Sequence, residues 1–291
     1  MDFIGTVHRV EDKVRRELLQ LPVVSSMRRK SYEQAALLHQ KSLPNLSVSE
    51  QIIVDKLRHD GAYKTTFDNL VGSSTSEFTQ LCDQSLSDPS QLVFNGNNMQ
   101  AFPLAKLKHR ADILRWGLEN KLLNIVESYV GLPIYYLGVE IKKELANGNS
   151  GGVRQWHLDT EDYRMIKVIV YLTDVDTESG PFEYLPRYKS NMVVAGMRYK
   201  SGLISDDVLQ QYVPASAWCS CIGSKYTAVI VDPASVLHRA KPATNTERRS
   251  VTFHYISQKP LHLRKKNLSI TKIMQHRYPD LSERQLSCLV A

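Results

Sequence analysis

A ten-residue run at positions 165–174, MIKVIVYLTD, restricts the possible folds of this 291-residue chain more than any other stretch. Its β-branched and aromatic residues, over so short a length, predict a buried strand. Such a strand needs partners, and candidates follow directly. Gly180-Pro181 marks a turn, and FEYL at 182–185, AVIVD at 228–232 and RRSVTFHYI at 248–256 read as further strands. The preceding 130 residues read as mainly helical, and the tail after 258 as helical again. Helices, then many short strands, then helices predict one α+β domain in which a β-sandwich or barrel is buttressed by helices.

Helical signals begin at residues 10–21, where Val14, Leu18, Leu19 and Leu21 recur before Pro22, and continue at 32–40. Ser47 and Glu50 form a capping box opening a helix over 51–59, which Asp60-Gly61 closes; Ser74 and Glu77 form another ahead of Phe78 and Leu81. Residues 85–98 are polar and turn-rich. From 104 to 130, Leu107, Ala111, Leu114, Leu118, Leu122, Ile125, Val126 and Tyr129 predict one long amphipathic helix, stopped by Gly131. A strand over 134–145 would place Tyr135, Leu137, Val139 and Ile141 on one face. Residues 146–152 read as a mobile rim, and 206–212 as a short helix inserted between strands. The tail predicts two short helices around Pro279, with Asp280 and Glu283 as a start signal. No internal repeat or low-complexity tract interrupts this order.

The chain is 42% hydrophobic and 23% charged, so it can bury a sizeable core without staples. Its four cysteines, at 82, 219, 221 and 288, have no zinc spacing and suit reduced cytoplasmic thiols. Charged residues interrupt the first twenty positions, and no run reaches the length of a membrane span, so the expected location is the cytoplasm. A net charge of +7 suits an anionic partner. Its clusters, Arg28-Arg29-Lys30 and Arg264-Lys265-Lys266, are short and lack the aromatic interleaving of a nucleic-acid surface. A phosphate-bearing small molecule or acyl thioester would use the same charge.

Chemistry concentrates in QWHLD at 155–159, the single His-x-Asp/Glu of the chain. In an extended segment His157 and Asp159 share one face while Trp156 and Leu158 share the other. One imidazole beside one carboxylate supplies two of the three ligands of a 2-His-1-carboxylate triad, which holds Fe(II) with open positions. The third must come from elsewhere. His254 and the pair His109 and Asp112 are further candidates, though packing or surface contacts explain each as well.

With WHLD at 156–159, KVIVYLTDV at 167–175, GPF at 180–182, His238 and RRSVTFHY at 248–255, the chain resembles the phytanoyl-CoA dioxygenase-like branch of the Fe(II)/2-oxoglutarate oxygenases. The likeness covers roughly 104–258. It implies a double-stranded β-helix, or jelly roll, with His157, Asp159 and His238 as metal ligands and catalytic centre. It also implies Fe(II), 2-oxoglutarate and O2 as cofactor and cosubstrates, with an Arg binding the distal carboxylate of the oxo acid. On these terms residues 1–291 form one oxygenase domain. Residues 1–130 are a mainly helical buttress, 131–258 the jelly-roll core with a helical insertion near 200–213, and 259–291 a helical tail.

Strand alternation selects the Arg. Arg248, Ser250, Thr252 and His254 share one face, and a guanidinium with a hydroxyl two residues on suits a carboxylate. Arg249 is the alternative, because a bulge would exchange the faces. Lys167 also matches a basic position of the family and could meet the oxo acid or an anionic substrate. After the Gly-Pro-Phe strand, LPRYK at 185–189 replaces the family's Pro-Gly-Ser-His turn. Asp159 stands where halogenases of this class carry Gly or Ala, so the resemblance implies hydroxylation, desaturation or cyclisation of a small-molecule or carrier-tethered biosynthetic substrate, with succinate and CO2 as co-products. Two readings compete: a jelly-roll binding protein that has lost its iron, and a nucleic-acid-directed oxygenase.

Overall fold

The computed structural model describes residues 22–71, 75–87, 92–94, 98–102, 110–261 and 268–290. In chain order the strands are β1 (Ala62–Thr66), β2 (Val93–Phe94), β3 (Met99–Phe102), β4 (Ile134–Glu144), β5 (Ile166–Tyr171), β6 (Phe182–Tyr184), β7 (Cys219–Cys221), β8 (Thr227–Val231), β9 (His238–Ala240) and β10 (Arg248–Ser257). The large sheet runs β1-β8-β5-β10-β4-β3-β2, and β7-β6-β9 form a small sheet. Every pairing is antiparallel. This is the expected jelly-roll core with helical buttresses.

Period-2 alternation divides the large sheet into an apolar outer face and a polar inner one. Val168 and Val170 of β5, Ile230 of β8, and Val251, Phe253 and Tyr255 of β10 are fully buried against Phe67, Phe78, Leu114, Leu122 and Val126 from the helical side. Each such side chain contributes about 1.5–3 kcal/mol of burial free energy, so this face holds sheet and helices together. The Phe253 ring stacks on Phe67 at 5.6 Å and 12°. On the inner face, Ile169, Tyr171, Val229 and Val231 meet Phe182, Cys221 and Val236 across the gap between sheets. The rest of that face is polar: Glu140, Lys142 and Glu144 of β4 lie opposite Thr252, Ser250 and Arg248 of β10.

The helix Val48–Asp60 has the expected Ser47/Glu50 box and ends at Gly61, whose φ of 81° only glycine adopts freely. A Cβ there would come within 2.3 Å of Val236 Cγ1, so the helix end and the segment leading to His238 pack backbone to side chain.

Several elements depart from expectation. The long helix over 104–130 is two within its described part, Arg110–Trp116 and Asn120–Val130. Between them Gly117 and Leu118 donate to Leu114 and Arg115, the shorter i−3 bonds of a closing turn. The Gly117 carbonyl accepts from Tyr255 Oη at 2.7 Å, and a Cβ at 117 would lie 2.4 Å from the Tyr136 ring. Tertiary contacts thus break a pattern that local periodicity reads as continuous. In β4 the expected face of Tyr135, Leu137, Val139 and Ile141 is split. His254 pairs with Gly138 and Tyr255 with Tyr136, so Leu137 is a bulge residue, and Gly138 takes φ 117°. Tyr135 and Leu137 therefore pack with Met165 and Ile256, whereas Val139 and Ile141 join the helix-covered core.

The helix expected over 32–40 runs Pro22–His39, with Pro22 as its first residue, where a missing N–H costs nothing. The helix expected over 10–21, Ser74, His109 and residues 264–266 lie outside the described residues. Thr75 caps the helix Ser76–Leu86 without a side-chain bond, its hydroxyl donating to Asp68 instead. The inserted helix is Asp206–Gln210, capped by Ser205, but Arg187–Met197 is a second helix that the LPRYK run did not signal. In the tail Ser282, not Asp280, caps Glu283–Ser287, while Asp280 pairs with Arg115 at 3.0 Å. The region expected to be mainly helical also supplies β1, β2 and β3.

Candidate metal centre

The stretch 155–159 is extended without belonging to a full strand. Two isolated bridges hold it, Trp156 to Ile204 and His157 to His238. Its alternation is as expected: Trp156 and Leu158 enter an apolar cluster with Leu185, Val193 and Leu237, leaving His157 and Asp159 on the other side. The backbones of His157 and His238 exchange two hydrogen bonds of 3.1 Å, which sets their rings 4.4 Å apart. Asp159 N–H donates to Pro233 O at 2.9 Å, anchoring the carboxylate to the loop that leads into His238.

Three ligand atoms thereby converge. One nitrogen from each histidine and an Asp159 oxygen all lie within 4.8 Å of one another, with His157 Nε2 and His238 Nε2 at 3.7 and 3.8 Å from Asp159 Oδ1. The opposite ring nitrogens face backbone carbonyls: His157 Nδ1 lies 2.8 Å from Gln155 O and His238 Nδ1 3.0 Å from Val236 O. A carbonyl can only accept, so each Nδ1 carries the proton and each Nε2 presents a lone pair to the shared point. Burial pushes the His238 imidazole down to about 3, against the opposing pull of Asp159. For Asp159, burial would raise the carboxyl, but Lys167, His238 and His157 outweigh it and hold the group well below the usual carboxylate range. Two neutral imidazoles and one carboxylate form a donor set for a divalent cation.

Lys167 is at this site. Its ammonium pairs with Asp159 Oδ2 from β5, and in register it lies opposite His254. His254 faces Glu140 at 4.0 Å on the same inner face. Arg248 and Ser250 are both buried on that face, whereas Arg249 projects from the other. The bulge falls at the far end of β10, between His254 and Tyr255, and leaves the faces of Arg248 and Arg249 unexchanged. Arg248 donates to Gly180 O and sits over the Tyr171 ring at 5.9 Å. Tyr171 Oη accepts from Phe182 N–H at 3.1 Å, and Phe182 stacks on His238 at 5.6 Å, so a continuous chain of contacts connects Arg248 to the triad. Buried Arg248 Nε, Ser250 Oγ and Thr252 Oγ1 have no hydrogen-bond partner among the described residues. Asp112 contacts Tyr278 and Arg277, and His109, its expected neighbour, lies outside the described residues.

Three features escaped sequence reasoning. Arg154 is 1% exposed; it bonds Asn147 Oδ1 at 2.8 Å, Asn149 O at 3.0 Å, Asn98 O at 2.9 Å and Leu145 O at 2.6 Å. The loop expected to be a mobile rim is therefore tied to a buried guanidinium. Arg239, beside His238, lies between the Trp156 and Trp218 rings at 4.7 and 5.1 Å and pairs with Glu183 and Asp206. It clamps the backs of both histidine-bearing segments to the inserted helix. Asp232, fully buried, accepts from Tyr129 Oη, Met165 N and Ala234 N, with Arg187 at 3.8 Å.

Because the Asp232 network fixes the 232–238 loop, Tyr129→Phe should strand a buried carboxylate oxygen. The expected cost is about 1–3 kcal/mol in chemical denaturation, with weakened metal binding. Unchanged values for both would deny the loop this support.

No protein-family model matches the chain, and no curated protein matches its sequence. Solved structures do match its fold. The epimerase SnoN, solved with Fe3+, α-ketoglutarate and nogalamycin RO, is similar at 14% identity and TM-score 0.50, over 76% of this chain and 88% of that one. The α-ketoglutarate-dependent carbocyclase SnoK of nogalamycin biosynthesis is similar at 16% identity and TM-score 0.50, over 74% and 86%. The architecture is thus one that non-heme α-ketoglutarate-dependent enzymes use. Among the described residues no helix is long and apolar enough to cross a membrane.

Proposed function

We propose that the chain is an Fe(II)/2-oxoglutarate-dependent dioxygenase of the phytanoyl-CoA dioxygenase-like kind, acting on a small-molecule or carrier-tethered substrate. The observation that carries this reading is the convergence of two Nε2 lone pairs and one carboxylate on a common point inside a jelly roll. His157, Asp159 and His238 would hold the metal. A metal held by these three residues would be free to take a 2-oxo acid and O2 as well.

The inner face also fits the oxo acid. Arg248 Nε and the Ser250 and Thr252 hydroxyls are buried groups without hydrogen-bond partners among the described residues, arranged along one strand face, which a carboxylate would satisfy. When bound, Fe(II) and 2-oxoglutarate supply oxygen activation, with succinate and CO2 as co-products. The chain's own groups position and exclude. Arg248 and Ser250 bind the distal carboxylate, and the backbone carbonyls of Gln155 and Val236 keep both imidazoles in the ligating tautomer. Lys167 holds the outer oxygen of Asp159 and stabilises its anionic form. Phe182 and Tyr171 keep water from the space between triad and Arg248.

A carboxylate at 159 suits hydroxylation, desaturation or cyclisation over halogenation, and of these hydroxylation of an unactivated carbon is the outcome proposed. Residues 1–291 act as one oxygenase domain. The helices Arg187–Met197 and Asp206–Gln210, inserted between β6 and β7, pack through Val193 and Leu209 against Trp156 and Leu237, and so brace both histidine-bearing segments from behind the triad. That SnoN was solved with nogalamycin RO supports a small-molecule substrate here. The test is succinate formation by the iron-loaded protein across acyl thioesters, amino acids and free small molecules. At least one class should raise succinate release about tenfold or more above the uncoupled rate. Absence of 2-oxoglutarate consumption under every condition would refute the proposal.

A further inference from the structure

Glu144 is an anion enclosed by cations. Its carboxylate is 2% exposed and lies on the inner face directly opposite Arg248 in the β4–β10 register. Its two oxygens serve different arginines. Oε2 accepts from Arg154 at 3.4 Å, whereas Oε1 lies 3.7 Å from Arg248 Nη2 and 4.0 Å from Lys142 Nζ and accepts no hydrogen bond among the described residues. Arg154 and Arg248 are themselves 1% and 3% exposed. Two buried guanidiniums thus share one carboxylate; with Lys142 matched by Glu140 at 3.5 Å, three cations face two anions and the cluster is one anion short of neutrality. Arg248 does not depend on Glu144 for its place, because Gly180 O and the Tyr171 ring hold it from the other side.

We infer that Glu144 is a built-in competitor for the cosubstrate's distal carboxylate, and that cosubstrate binding drives its charge from Arg248 onto Arg154. This rests on the reading that Arg248 binds the oxo acid. Like charges repel across a low-dielectric gap, so an incoming carboxylate on Arg248 weakens the loose Oε1 contact and favours the Oε2 contact with Arg154. Arg154 also holds Asn147, Asn149 and the carbonyls of Leu145 and Asn98. Occupancy of the oxo-acid site is thereby transmitted to loop 145–151. Glu144 acts through Arg248 and Arg154 and is a positioning residue.

The sign of one measurement separates this from a structural role. Glu144→Gln keeps the side chain's size and an oxygen for Arg154 but removes its charge. In anaerobic titrations of the Fe(II)-loaded protein, the variant should bind 2-oxoglutarate about tenfold more tightly than the parent. If Glu144 merely supported Arg248, affinity would fall, and equal or weaker binding overturns the inference. A second measurement needs no variant. On adding 2-oxoglutarate to the Fe(II)-loaded parent protein without oxygen, amide exchange in residues 145–151 should slow; unchanged exchange with the ligand bound overturns the coupling even should Glu144→Gln fail to fold. An Fe(II)-loaded parent that binds no 2-oxoglutarate sinks the oxygenase reading itself, and this inference with it.

Discussion

Asp159→Ala should lower Fe(II) affinity more than about a hundredfold and abolish substrate-dependent succinate formation. Loss of a partner that merely orients a ligand costs 10–100-fold in metal affinity, and Asp159 is in the proposed ligand set itself. It is also the one anion of that set, and the contacts that hold it ionised are those that make it a strong donor. With it gone, two neutral imidazoles and the nearby ammonium of Lys167 remain, and that ammonium would then oppose a cation. Far-ultraviolet circular dichroism would verify that the variant folds. Full coupled turnover by a folded Asp159→Ala protein would refute the ligand assignment.

Arg248→Ala comes next in size. A guanidinium donating two charge-assisted hydrogen bonds to a carboxylate contributes about 1.5–3 kcal/mol for each, so demand for 2-oxoglutarate should rise about a hundredfold or more. Fe(II) affinity should hardly change, because Arg248 is not in the ligand set and is linked to His238 through Tyr171 and Phe182. Arg249→Ala should leave the demand for 2-oxoglutarate within about threefold, since that half-buried side chain is on the face of β10 turned away from Ser250 and the triad. A reversed ranking would mean that the inner-face assignment fails.

What the sequence revealed and what it hid follow from the range of the physics involved. Alternation is a two-residue rule, so the shared faces of His157 with Asp159 and of Arg248 with Ser250 are legible in any extended segment. The apolar strands are legible for the same reason, and with their flanking helices they give the fold class. Gly117 was hidden because the helix break there depends on Tyr136 and Tyr255, which arrive from strands far along the chain. The bulge at Leu137 was hidden because register is a property of two strands, not one. Arg154 and Glu144 were hidden because nothing local distinguishes a buried ion pair from a solvated one; only the closing of loop 145–151 over them does so. The helix Arg187–Met197 has a weak apolar pattern, and its place depends on the fit of Val193 against Trp156 and Leu237.

Metal titration reaches the central claim most directly. Under strict exclusion of oxygen, the protein should take up one equivalent of Fe(II), and subsequent 2-oxoglutarate should produce a visible absorption band that Asp159→Ala and His238→Ala proteins lack. Stoichiometric iron binding that survives both substitutions, or an iron-loaded protein whose spectrum the oxo acid leaves unchanged, would contradict the account.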